Sequence, residues 1–356
     1  MSTSNPITLM YKIVILTCVL MLVLEGAVTA QDPQFSQFYA APLYLNPALT
    51  GASGQARAGL NYRNQWPAID ANFTSMSLYA DVFIEDKRSG VGMILTRDSE
   101  GLAGLRSLSV GLQYSYELEI TKNLGFRPGI QVALFNRDIN FDKLTFGDQF
   151  NDDTGQFLDQ PTAETFNTYS SKTFVDLSFG GVFFTKNAWL GVSAWHLTEP
   201  NQSLIGEKSP LPRKYSVHGG FKFKFKPGVV GSGVYARKSE RSFSPAVQYR
   251  HQGKFDQLDV GMYFTFEPIV LGTWYRGIPF KNVGDVVNNE SIVLMLGFTK
   301  LGAKDALNIG YSYDYTISKL GIGSGGAHEI SLTYTWPIRD PRKPPRDKLI
   351  IPCPDF

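Results

Sequence analysis

Segments of about ten residues, in which apolar and polar side chains alternate, recur along almost the whole chain. Between residues 306 and 317, Leu, Ile and Tyr alternate with Asn, Gly, Ser, Asp and Thr, and residues 329–336 repeat the pattern. Successive side chains of a β-strand point to opposite faces of its sheet, so each segment has one apolar and one polar face. Strands that cross a membrane in a closed barrel show this pattern, with the apolar face towards lipid. The alternation therefore predicts an antiparallel transmembrane β-barrel of the bacterial outer membrane.

Fourteen segments can be counted as strands of this barrel, which we place at residues 54–336. They lie near 55–64, 72–83, 89–97, 105–118, 123–137, 172–185, 187–197, 213–225, 243–251, 256–266, 269–277, 290–300, 305–317 and 327–336. Residues 227–242 are ambiguous and would make a fifteenth strand. Bacterial single-chain barrels have an even number of strands, so we interpret 227–242 as an extended connection. A soluble β-sandwich is the competing architecture, but it does not need so many segments with an apolar outer face.

The connections between the predicted strands fall into two groups. With fourteen strands, the long connections at 138–171, 198–212, 278–289 and 318–326 lie on one side of the barrel, and the short turns lie on the other. Outer-membrane barrels have long extracellular loops and short periplasmic turns. We therefore expect both ends of the mature chain to lie in the periplasm.

The alternation is absent at both ends of the chain. Residues 1–30 hold a short apolar run that ends in small residues, which is typical of a cleaved signal peptide. Residues 31–53 contain prolines and an Asn-Pro pair, so we predict an irregular periplasmic entry segment. Residues 337–356 hold six prolines and five basic residues, which predicts an extended, Pro-rich basic tail in the periplasm.

The polar half of the alternation predicts the residues that line the lumen. His218, Lys222 and Lys224 oppose aromatic side chains in one strand, and Asp314 and Glu329 do so in the last two strands. A basic side chain facing lipid at mid-depth would cost about 2–4 kcal/mol, so we expect these five side chains to face the lumen.

Arginine and tryptophan residues recur at the predicted strand ends. The arginines are interpreted as solvated or snorkelling side chains at the membrane interface, with a charged vestibule as the alternative; they are Arg63, Arg137, Arg237, Arg250 and Arg276. The tryptophans are expected to belong to an aromatic girdle at the same interface; they are Trp66, Trp195, Trp274 and Trp336.

The sequence carries no pattern typical of an enzyme. The four histidines are scattered without partners at ligand spacing, and no nucleophile or zinc-protease motif is present. We therefore expect no catalytic, cofactor-binding or metal-binding residues and no cofactor. A net charge of +2 gives no reason to expect a nucleic-acid partner. An acidic loop is interpreted as solvated, with a surface calcium site as the alternative; its carboxylates are Asp148, Asp152, Asp153 and Asp159.

Short motifs spread over the mature chain resemble the PorP/SprF family of type IX secretion system outer-membrane proteins. They are QDPQFSQF (31–38), LNPA (45–48) with Gly51, PRKY (212–215), PAVQYR (245–250), LGTWYR (271–276), GYSYDY (310–315) and HEISL (328–332). The resemblance implies a barrel of Bacteroidota-type bacteria that acts in type IX secretion or gliding motility. One branch of the family is tied to the periplasmic machinery, and the other to export and anchoring of a large secreted adhesin.

The resemblance and the irregular ends together give a functional expectation. We expect a non-enzymatic barrel that helps to export or anchor a secreted surface protein, such as an adhesin, and that contacts periplasmic secretion components as well as outer-membrane lipid. Residues expected to bind partners lie in the entry segment and the tail, namely Asn46, Pro47, Gly51, Arg339, Arg342, Lys343 and Arg346. A passive or substrate-specific porin is the alternative function, because the same alternation supports it equally.

Overall fold

A computed structural model of the chain describes most of the residues that follow the predicted signal peptide. The described residues are 32–69, 72–101, 104–140, 144–151, 154, 156–158, 160–163, 169–204, 206, 208–230, 237–283, 286–301, 305–319, 321–338 and 350–353. The predicted signal peptide and the four basic residues Arg339, Arg342, Lys343 and Arg346 lie outside this part of the chain.

Fourteen antiparallel strands form a closed barrel, as the alternation predicts. They are β1 (Ala56–Gln65), β2 (Phe73–Ile84), β3 (Ser89–Glu100), β4 (Leu105–Tyr116), β5 (Leu124–Asn140), β6 (Tyr169–Phe184), β7 (Ala188–Trp195), β8 (Lys214–Phe221), β9 (Arg241–Gln252), β10 (Phe255–Phe266), β11 (Ile269–Val283), β12 (Val286–Leu301), β13 (Ala306–Thr316) and β14 (Ala327–Trp336). Leu118–Thr121 continues β4, and Phe223–Lys224 continues β8. Each strand pairs with its sequence neighbours, and pairing of β1 with β14 closes the sheet.

The outer and inner surfaces of the barrel follow the sequence alternation. In β4, Leu112 points outward and is 65% exposed, whereas the next residue, Gln113, points inward and is 3% exposed. The same arrangement recurs around the barrel, with apolar residues outside and polar residues inside. This is the inverse of a water-soluble protein and is the arrangement of a lipid-embedded barrel. Within the described ranges, the chain has no helix of the length and hydrophobicity needed to cross a membrane.

The two ends of the barrel differ in their connections. Ala56 and Trp336, where the closed sheet begins and ends, are paired at one end, which we call the terminal end. The opposite end, which we call the loop end, carries the long connections 141–168, 196–213 and 317–326. These three long connections lie at the loop end, as predicted, and the connection between β8 and β9, which includes residues 227–240, lies at the terminal end.

Two predicted connections differ in detail from the structure. Residues 278–289 were predicted to be a long loop, but most of them extend β11 and β12 into a hairpin. The register shifts after Arg276 and again after Ile278, which interrupts the alternation that marks the other strands. Residues 227–240 form a connection, as expected, and hold a small separate hairpin of Gly228–Val230 with Arg237–Ser239, whereas Arg241 and Ser242 already belong to β9.

Candidate functional site

The lumen of the barrel is occupied by residues 32–53, which we call the plug segment. Two short helical turns shape it: α1 (Pro42–Leu45) and a 3₁₀ turn at Pro47–Leu49. Each begins with a proline at a first-turn position, where a missing N–H costs nothing. The Asn46 side chain caps the second turn by accepting a hydrogen bond from the Ala48 N–H at 2.9 Å. The described residues of this segment, 32–53, form these two turns and no strand.

The plug segment extends through the lumen from one end of the barrel to the other. Asp32 contacts Lys214, the first residue of β8, and Gln252, the last residue of β9, both at the loop end. Ser53 leads into β1 at the terminal end. This segment, which we predicted to lie outside the barrel in the periplasm, lies inside the lumen. Asp32 and Trp336 consequently lie at opposite ends of the barrel, although the two chain ends were expected on one side.

At the loop end, Asp32 is held by two cationic side chains. Its carboxylate lies 2.8 Å from His196 Nε2 and 2.5 Å from Lys214 Nζ. His196 follows β7, and its other ring nitrogen lies 3.0 Å from the Asp176 carboxylate. Burial alone would lower the pKa of His196, but the two carboxylates raise it to about 9. The imidazolium therefore donates to both carboxylates at neutral pH and ties the plug segment to β6.

Further along, two residues of the plug segment are bound by a buried ionic cluster. The Glu329 carboxylate accepts the backbone N–H groups of Ser36 at 2.6 Å and Gln37 at 3.0 Å. The Ser36 hydroxyl donates to Asp314 at 2.6 Å and accepts from Arg63 at 2.6 Å. A wall carboxylate thus satisfies plug backbone donors that would otherwise be buried without partners.

The same cluster is neutralised by arginines that project inward. Arg63 Nη2 and Arg276 Nη1 each lie 2.8 Å from Asp314, and Arg276 Nε lies 2.7 Å from Asp259. Both arginines are at most 2% exposed. Our interpretation of Arg63 and Arg276 as interface residues is therefore wrong, because buried carboxylates on nearby strands supply their partners inside the barrel. The alternative, a charged vestibule, is nearer to what the structure shows, because both arginines are buried on the inner side of the barrel.

In the middle of the lumen, Asn46 is enclosed by the barrel wall. Its side-chain amide donates to the Val192 carbonyl at 3.0 Å and lies 3.3 Å from Nε2 of the fully buried His218. Gly180 faces it, and a Cβ at that position would meet the Asn46 side chain at less than 3.0 Å. The wall therefore leaves space at this point for one particular plug side chain.

Two other wall glycines make room for the plug backbone in the same way. A Cβ at Gly129 would lie less than 3.0 Å from the Ala48 nitrogen, and one at Gly90 would lie equally close to the Thr50 carbonyl. Real Cβ atoms essentially never come that close to backbone atoms. The inner surface is thus complementary in shape to the plug segment. The sequence of the barrel strands therefore determines where the plug segment binds.

Near the terminal end, a third ionic contact holds the plug segment. The Gly51 N–H donates to Asp81 at 2.6 Å, and Asp81 also pairs with Arg57 at 2.8 Å. Thr50 donates its hydroxyl to Gln113 at 2.6 Å. Gly51 has a φ of +70°, a conformation that a side chain would disfavour, and a Cβ would also collide with Gly90.

Aromatic side chains fill the space between these polar contacts. Phe38 packs edge-on against Trp274 with ring centroids 4.6 Å apart, and Tyr44 stacks on Trp195. Trp274 and Trp195 are 2% and 5% exposed. We expected both tryptophans in a girdle at the membrane interface, which is wrong. They face inward because the plug segment supplies an apolar surface inside the lumen.

The residues predicted to line the lumen are distributed along its length. His218, Asp314 and Glu329 are buried on the inner side of their strands and contact the plug segment. Lys222 pairs with Glu240 at 2.6 Å, and Lys224 is exposed on the extension of β8.

Three residues predicted to bind partners already have partners within the chain. Asn46, Pro47 and Gly51 are buried between the plug segment and the wall, so in this conformation they offer no surface to another protein. The wall groups that hold the plug segment, Asp81 and His196 among them, were not anticipated. The sequence indicates these groups only through charged residues at inward-facing strand positions. That pattern does not show which charged residue contacts which part of the plug segment.

The site offers contacts for a polypeptide. Among the described residues, no group of three or more His, Cys, Asp or Glu side chains is arranged to hold a metal ion. In the acidic loop, Asp148 accepts hydrogen bonds from Thr162 and Ala163. Asp152, Asp153 and Asp159 lie outside the described residues.

Comparisons with known proteins give a family and a set of similar barrels. The family model described as "Type IX secretion system membrane protein PorP/SprF" matches residues 27–334. No curated protein matches the chain.

Among solved structures, a FadL homologue of Pseudomonas aeruginosa is 12% identical, with a TM-score of 0.43 over 88% of this chain and 96% of that chain. The toluene transporter TbuX of Ralstonia pickettii is 9% identical, with a TM-score of 0.47 over 84% of this chain and 94% of that chain. The toluene transporter TodX of P. putida is 10% identical, with a TM-score of 0.46 over 83% and 93%.

Proposed function

This chain belongs to the PorP/SprF family of type IX secretion system membrane proteins, and from that membership we propose that it is a non-enzymatic anchor for a secreted surface protein. In this proposal, the barrel sits in the outer membrane and helps to export or hold a cargo such as an adhesin. Its loop end faces the cell exterior, and its terminal end faces periplasmic components of the secretion machinery.

The observation that carries the proposal is the filled lumen. The plug segment is bound by ionic clusters at Asp32, at Ser36 and Gln37, and at Gly51, and the wall glycines follow its shape. A porin needs a continuous water-filled path, which a resident segment along the lumen opposes. A rigid closed barrel instead suits a protein that has to bear the load of an attached partner.

The loop end supports partner binding with exposed apolar side chains. Phe280, in the hairpin of β11 and β12, is 97% exposed. In the connection 141–168, Phe150 and Phe157 are 37% and 50% exposed, with ring centroids 5.7 Å apart. Exposed aromatic side chains beyond the membrane-spanning part are typical anchors of protein interfaces.

Surface display of the cargo tests this proposal. We expect deletion of the gene to remove at least one type IX cargo from the cell surface, and expression of the wild-type chain to restore it. A chain carrying Phe280→Ser should assemble normally and restore less cargo than a matched Phe255→Ser chain, in which the changed residue is also exposed but lies at the start of β10. Normal surface levels of every type IX cargo in the deletion strain would refute the proposal.

A further inference from the structure

A short segment near the end of the chain returns to the barrel after the last strand. Ile338 is 58% exposed beyond the end of β14. The chain is buried again at Ile351, which is 4% exposed, and at Pro352 beside it. The immediately preceding residue, Ile350, is 60% exposed. This part of the tail, which we predicted to be an extended periplasmic segment, is packed against the barrel.

The buried isoleucine packs into the apolar cluster that contains the plug segment. This cluster combines Tyr39 and Leu49 of the plug with Trp189 and Val270 of the wall, and it includes Ile351. Cys353 and Ala52 pack against the same cluster. The terminal segment therefore contacts both the barrel and the plug.

The contact lies at the terminal end of the lumen. A cavity of about 200 Å³ there is lined by Tyr39, Ser53, Arg57 and Glu240, and Ile350 borders it. Tyr39 and Ser53 of the plug face this space, and Ile350 of the terminal segment lies at its border. The terminal segment therefore lies beside the part of the plug that the strands leave open to this cavity.

The chain is long enough to make this contact in the same molecule. Residues 337–349 separate β14 from Ile350 and can span up to about 43 Å when extended. Fourteen strands about 4.8 Å apart and tilted by about 40° give a barrel roughly 28 Å across. The segment can therefore reach any point of the terminal mouth.

The composition of the segment suits burial as an extended peptide. Ile351 supplies an apolar side chain, and Pro352 has no backbone N–H that would need a partner inside the cluster. We propose that residues 350–353 are an intramolecular docking segment that closes the terminal end of the lumen and holds the plug segment in place. The apolar cluster that Ile351 joins accepts a short apolar peptide that contains proline.

Thiol labelling of the purified full-length protein in detergent tests the docking. In a Cys18→Ala background, Cys353 is the remaining thiol, and a Cys353→Ser, Ile338→Cys protein carries a control thiol in the same tail. We expect a bulky maleimide to modify Cys353 at least roughly tenfold more slowly than the control thiol in the folded protein. In denaturant the two rates should be equal.

Two neighbouring substitutions separate docking from a general effect of the tail. Ile351→Asp should raise the labelling rate of Cys353 to that of the control thiol, because it places a charge in the apolar cluster. Ile350→Asp should leave the labelling rate low, because Ile350 is already exposed. Equal labelling of Cys353 and the control thiol in the folded protein, or equal effects of the two substitutions, would overturn the docking.

Ion conductance in planar bilayers tests the closing role. Ile351→Asp should open the channel more often than Ile350→Asp does, with folding of both proteins checked by heat-modifiable migration. If Ile351→Asp frees Cys353 but conductance stays at the wild-type level, the segment does not close the lumen, and that part of the proposal is wrong.

Discussion

Glu329→Gln perturbs the plug at a single well-defined contact. The Glu329 carboxylate accepts two backbone N–H groups of the plug segment, from Ser36 at 2.6 Å and Gln37 at 3.0 Å. Glutamine has nearly the same size but keeps only one acceptor oxygen, so at least one buried plug N–H loses its partner. Arg63 keeps a partner, because Asp314 lies 2.8 Å away. The substitution therefore weakens the binding of the plug segment to the wall, while Arg63 keeps a counter-charge.

The magnitude follows from the lost hydrogen bond. A hydrogen bond to a charged group contributes about 1.5–3 kcal/mol, so its loss favours release of the plug by about 10- to 150-fold. Recordings in planar bilayers can measure this as the fraction of time that the channel is open. Glu119→Gln is the matched control, since Glu119 forms an exposed ion pair with Arg88 that is worth at most about 1 kcal/mol. Equal open fractions in the two variants would refute the role of Glu329 in holding the plug.

Two further predictions concern the fit and the pH dependence of the plug. Gly180→Val should displace the Asn46 side chain from its position against the wall and lower the free energy of unfolding of the barrel by about 1–3 kcal/mol. Urea unfolding in lipid vesicles measures this change. Gly147→Ala, in an open loop, should change the free energy of unfolding little. His196 has a pKa of 6.5 in the unfolded chain and about 9 when folded, so its stabilisation of Asp32 is fully present below pH 6.5 and is lost as the pH rises through 9. The fraction of time that the channel is open should therefore increase above pH 9, and His196→Gln should remove this pH dependence. The same pH profile in the wild-type protein and in His196→Gln would contradict the role of His196.

The barrel itself could be predicted from the sequence because its signal is local. Each strand shows its own alternation of apolar and polar residues, as in Leu112 and Gln113. The fourteen strands can therefore be recognised one by one, without knowing which strands pair with each other. The hairpin at residues 278–289 was missed because its register shifts after Arg276 and Ile278 disturb that period. Local pattern thus determined the strands wherever the sheet is regular.

The interior could not be predicted because its contacts join residues far apart in the chain. Ser36 and Glu329 are 293 positions apart, and Asn46 and His218 are 172 apart. The residues 31–53 were recognised as irregular, but irregularity alone does not distinguish a segment outside the barrel from one inside it. To place the segment inside the barrel, one would have to know how many polar groups of the lumen need hydrogen-bond or ionic partners.

The central claim is that the lumen of this PorP/SprF barrel is closed by its own N-terminal segment. The most direct measurement is the conductance of single wild-type molecules reconstituted in planar bilayers at neutral pH. The plug contacts at Asp32, Ser36, Asn46 and Gly51 predict a closed barrel with at most brief openings. A large, steady open conductance from correctly folded wild-type protein would contradict the account and favour a porin.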